Sequence, residues 1–115
     1  MRIVVLALIV LSGIAVAVAQ TDGYTKLDGS LTITGKYAID PPPEQKNDRV
    51  GFFLTGESAK QIYDAMPAKP IKDACEEGML KKEAGALECS KHNGDYICMV
   101  AILLASGQTR RFGAC

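Results

Sequence analysis

The sequence predicts a small α+β domain: an antiparallel sheet of four or five strands, one main helix packed on a face, and two disulfides. Three observations predict it. Ile97–Leu104 is an unbroken apolar run, Asn93-Gly94 stands between two strand-like runs, and a single amphipathic stretch runs from Ser58 to Met66. One helix with one sheet is a two-layer arrangement, the smallest that buries both apolar faces.

The first residues read as an address, not as part of that domain. Arg2 precedes an apolar run from Ile3 that ends in Ala17-Val18-Ala19, the small-x-small pattern of a cleaved signal peptide. A membrane span needs about 20 apolar residues, and Ser12 and Gly13 interrupt this shorter run. The expectation is a cleaved signal at 1–19, a single mature domain at 20–115, and no stable membrane insertion afterwards. Without Arg2 the charges leave one acidic group in excess. Nucleic acid, which demands a basic stripe, is not an expected partner. Lys81-Lys82 and Arg110-Arg111 are adjacent pairs whose members point to opposite faces of a strand, and they read as solvated surface.

The mature chain opens with a polar, loosely held segment, Gln20 to Gly29. Ser30–Tyr37 alternates apolar and polar, a strand pattern with Leu31, Ile33 and Tyr37 on one face. Asp40 to Arg49 contains Pro41-Pro42-Pro43, which removes amide donors and fixes φ, so it reads as an extended exposed loop. Val50–Leu54 is a buried aromatic strand. Ser58 and Gln61 form a capping box, and Ala59, Ile62, Tyr63 and Met66 make one apolar stripe that Pro67 ends. Asp73-Ala74-Cys75 suggests a short helical turn closed by Gly78. Three strands follow, at Met79–Glu83, Leu87–His92 and Asp95–Leu104. The last is the central strand, expected to be buried on both faces. Ser106-Gly107 turns the chain into a final strand, Thr109–Gly113.

The four cysteines, at 75, 89, 98 and 115, have no C-x-x-C spacing and only one histidine in the chain to join them, which disfavours zinc. In an exported chain an even count reads as a disulfide framework with three pairings open. Asn93-Gly94 narrows the choice. A two-residue type I′ loop there puts His92 opposite Asp95 and Cys89 opposite Cys98, at a non-hydrogen-bonded site where the Cα atoms stand close enough to bridge. Cys98 with Cys115 is the competitor if the next hairpin centres on Ser106-Gly107, but that pair would be the wider, hydrogen-bonded kind. The expected bridges are Cys89–Cys98 and, by elimination, Cys75–Cys115.

No phosphate loop, catalytic triad, cofactor motif or metal cluster appears. The one constellation with chemistry is His92 with Asp95 across the hairpin tip, and a tip is a poor place to exclude water. A crosslinked scaffold with exposed loops suits binding, because rigid loops lose little freedom on association. The candidate contacts are the proline loop Pro41–Arg49, with Pro42 and Pro43, the Ala68–Gly78 stretch, and the tip Lys91–Asp95, with His92, Asn93 and Asp95. None of these loops contains an aromatic anchor.

Leu54-Thr55-Gly56-Glu57-Ser58-Ala59 with Ile62-Tyr63, then Asp73-x-Cys75, Leu87-x-Cys89, Tyr96-x-Cys98 and Cys115, resembles small exported four-cysteine proteins of Gram-negative bacteria. That group has no assigned activity. The resemblance spans 50–115 and implies a periplasmic address. The expectation is a periplasmic or secreted binding or inhibitory protein with a protein partner and no cofactor. The alternatives are a small hydrolase or metal enzyme built on His92 and Asp95, and an envelope-associated or dimeric subunit joined through a sheet edge.

Overall fold

A computed structural model describes residues 23–35 and 47–112 of the chain. The elements are β1 (Gly29–Thr34), β2 (Arg49–Thr55), α1 (Gly56–Ala65), β3 (Ile71–Lys72), β4 (Leu80–Ala84), β5 (Leu87–His92), β6 (Asp95–Leu103) and β7 (Thr109–Arg110). They form one antiparallel sheet of seven strands in the order β1-β2-β6-β5-β4-β3, with β7 also paired to β6, and α1 lies on one face. The α+β architecture stands, but seven strands replace the expected four or five. Only β3, a two-residue pairing defined by its neighbour rather than by any pattern of its own, has no counterpart among the strands read from the sequence; β7 is the expected final strand, shortened to two residues.

As its composition predicts, β6 lies in the middle of the sheet, between β2 and β5. Only Cys98 and Ala101 along it are fully buried, against the expectation of burial on both faces; Asp95 is exposed and the rest of the strand is half-buried. The reason is the shortness of α1: ten residues cover about 15 Å of the sheet and no more. Ala59, Tyr63 and Met66 of α1 bury against Cys89 and Cys98, with Leu54, Ile62, Leu87 and Tyr96 packed around them. The predicted helical stripe is therefore the core-facing one.

On the other face Phe112 lies over Gly51, so close that a Cβ there would stand 2.6 Å from its ring. Glycine in β2 is thus the means by which the chain beyond β7 closes over the sheet. On that same face Glu83 and Glu88 are direct cross-strand partners, a repulsive placement for two carboxylates. Arg111 resolves it, reaching Glu83 at 3.0 Å and Glu88 at 3.7 Å. Lys81 joins the network at 3.3 Å from Glu83 and 3.5 Å from Asp73.

Several expectations are corrected here. Lys81 is buried rather than solvated, whereas Arg111 is exposed as expected and pairs there with Glu83. Lys82, on the helix side, donates to the carbonyls of Tyr63 and Met66 at 2.9 and 3.1 Å, supplying a cation and hydrogen bonds to the C-terminal end of α1. Leu31 and Ile33 share one face as the alternation predicts, and they are 62% and 47% exposed because α1 packs on β2, β5 and β6 rather than over β1. Ser58 is not a cap. The chain enters the helix directly from β2 at Thr55, with Gly56 at φ +55°, and no side chain caps the first turn. Ser58 Oγ instead accepts from the Asp28 amide at 2.8 Å and donates to the Lys26 carbonyl, so the segment before β1 is tied down rather than loose. Residues 73–75 are no helical turn: Asp73 Oδ1 accepts from the amides of Cys75 and Glu76 and folds the loop around itself. The final strand ends at Arg110, short of the expected Gly113.

Candidate functional site

The predicted hairpin is present in the predicted register. Asn93 and Gly94 have φ +50° and +81°, the signature of a type I′ loop, His92 faces Asp95, and Cys89 faces Cys98. The Cys89–Cys98 disulfide is formed, with the Cα atoms 4.0 Å apart. It lies beneath α1, and the Cys98 sulfur packs 3.5 Å from the Ala59 carbonyl oxygen. The competing Cys98–Cys115 pairing is excluded, because Cys98 is already bridged to Cys89. Cys75 sits exposed in the loop between β3 and β4 and is not a free thiol. Its expected partner, Cys115, lies outside the described residues, as do Pro42, Pro43 and the leader at 1–19. A disulfide agrees with an oxidising compartment, and among the described residues no helix is long and apolar enough to cross a membrane.

The crosslinked hairpin forms one wall of a cleft of about 600 Å³, whose other wall is the start of α1. Thr55, Gly56, Glu57 and Lys60 line it from the helix side, and Lys91, Gly94, Asp95, Tyr96 and Ile97 from the hairpin side. Tyr96 supplies the aromatic surface that the tip residues alone lack. Its ring packs edge-on against Tyr63 with the centroids 5.4 Å apart, and the ammonium groups of Lys60 and Lys91 stand 5.7 and 5.5 Å from its centre. Lys60 also pairs with Asp64; the hydrogen bond, then the charge, holds the lysine above its ordinary pKa and the carboxylate below its own. No side chain caps the first turn of α1, whose residues Thr55, Gly56 and Glu57 line the cleft.

The tip residues divide. Asp95 joins the cleft, Asn93 is exposed at the turn, and His92 lies against the β3–β4 loop, its ring 3.8 Å from where a Cβ on Gly78 would stand. Among the described residues no side-chain hydrogen bond or ion pair links His92 to Asp95, which meet only through the backbone ladder. Among the described residues no group of three or more His, Cys, Asp and Glu side chains is placed to hold a metal. Thr55, Gly56, Glu57 and Lys60 were not legible as site residues. They meet Tyr96 only because β2 and β6 are neighbours in the sheet, and no local pattern announces that.

The fold and the cleft together define a disulfide-stapled two-layer α+β domain. Comparison with known proteins yields no matching family model, no matching curated relative and no matching solved structure. The likeness to small exported four-cysteine proteins accordingly rests on the quoted residues alone.

Proposed function

We propose that the chain is a periplasmic or secreted binding protein that seats a segment of a protein partner in the cleft between the start of α1 and the β5–β6 hairpin. The observation that carries the reading is the cleft itself: an aromatic ring flanked by two lysines, beside uncapped helix amides, on a wall fixed by a disulfide. Tyrosine offers a large contact area at small entropic cost, and a crosslinked wall lowers the ordering cost of binding. Amides and ammonium groups are donors, which suits a partner segment rich in carbonyl or carboxylate oxygens. The leader at 1–19 delivers the chain to the compartment in which the disulfide persists.

The test is capture and mass spectrometry with tagged protein, run in parallel with a Lys60→Glu/Lys91→Glu variant that reverses the two cleft charges at exposed positions. The reading predicts a partner held by the unaltered protein and lost from the variant. A partner retained equally by both, or none above background, removes the cleft from the account.

A further inference from the structure

The sheet ends in two edges of different character. At one end β3 is two residues long, carries Lys72 and is followed by the Asp73 loop, features that discourage another strand from adding. At the other end β1 is six residues, Gly29-Ser30-Leu31-Thr32-Ile33-Thr34, with neither charge nor proline. The Thr55 amide bonds the Asp28 carbonyl, which sets the alternation along the ladder. The backbone groups of Leu31 and Ile33 therefore point away from β2, and among the described residues nothing pairs with them. Their side chains, 62% and 47% exposed, share the face of Val50 and Phe52 across the ladder.

We propose that β1 is a self-association edge whose occupant is β1 of a second copy, paired antiparallel about a two-fold axis at Thr32. That register sets Leu31 opposite Ile33 of the second copy, and Ile33 opposite its Leu31, so the outward N–H and C=O groups of both strands pair. Thr32 meets its own counterpart and Ser30 meets Thr34, so apolar side chains face apolar ones and hydroxyls face hydroxyls. Because the strand is uncharged, the symmetric arrangement brings no like charges together, as it would at an edge bearing lysine. The two apolar helix-side surfaces then run on into each other as one continuous sheet face. An isologous contact of this kind closes on itself and stops at two chains.

Sedimentation of the purified oxidised protein tests the pairing, together with Thr32→Cys and Ser30→Cys variants compared on non-reducing gels. The proposal predicts a mass of two chains that falls to one in Leu31→Lys, with circular dichroism unchanged. It also predicts that T32C links between chains while S30C, off the axis, does not. A mass of one chain at all concentrations, a two-chain mass indifferent to Leu31→Lys, or equal linking by both cysteine variants overturns it. So does a monomer that takes up a foreign β-strand at this edge in place of its own copy.

Discussion

Two side chains show how much of this structure is settled at single positions. Lys82 closes the end of α1 from a neighbouring strand, with its ammonium group 4.5 Å from the centre of the Tyr63 ring. Removing it leaves two helix carbonyls without their donor, so Lys82→Ala is expected to cost about 1–2 kcal/mol. Thermal unfolding measures this, and Lys60→Ala, at an exposed position on the same helix, serves as the control. Gly51 is the reverse case, where nothing can be added. Gly51→Ala places a methyl inside the Phe112 ring, and the repacking should cost about 1–3 kcal/mol. A melting temperature unmoved by Gly51→Ala would mean that Phe112 does not pack there. Neither role was legible in the sequence: Lys82 looks like half of a solvated lysine pair, and Gly51 only like one residue of a buried strand. Both depend on partners that only the sheet order supplies.

Among the elements, the β5–β6 hairpin was the most readable, because a type I′ loop is a local demand that Asn-Gly meets and few other pairs do. From that loop the register, and with it the Cys89–Cys98 bridge, followed by counting along the strands. The α1 stripe was equally plain. Its start was not, since Ser58 satisfies the sequence pattern of a cap while its hydroxyl is engaged by Lys26 and Asp28, far away in the chain. The exposure of Leu31 and Ile33 was illegible for a related reason: alternation marks two faces of a strand but cannot say whether a short helix reaches far enough to cover one. The cleft was illegible because its walls come from distant segments. Closing a loop of this length entropically stabilises the fold by about 2.7 kcal/mol in the chain-entropy description. Replacing Cys89 and Cys98 together by alanine should therefore lower the melting temperature by roughly 10–20 °C. A drop of only a degree or two would show that packing alone holds the hairpin.

At the scale of the whole molecule, the charged network opposite the helix ties the β3–β4 loop, two strands and the chain after β7 into one unit. The Cys75 and Glu76 amides, then Lys81, hold Asp73 below its ordinary 3.8, and Arg111, then Lys81, hold Glu83 below 4.5. Carboxylates lowered in the folded state stabilise it above their ordinary values and lose that contribution as pH falls through the lowered ones. Burial opposes the charge on Lys81, yet the hydrogen bond to Glu83 and the surrounding carboxylates outweigh it and raise its pKa, so that lysine stays charged throughout this acid range. The melting temperature is expected to fall as pH drops below about 5. Glu83→Gln should flatten that fall, and an unchanged slope in the variant would dissociate the network from acid sensitivity. The same scale carries the functional reading, in which an exported scaffold stays rigid because it is crosslinked outside the cytosol. The most direct measurement is mass spectrometry of a non-reducing digest of the protein recovered from the cells that make it. The account predicts a chain beginning at Gln20 and a peptide in which Cys89 is joined to Cys98. Free thiols at both positions, or a chain that keeps its first nineteen residues, would contradict it.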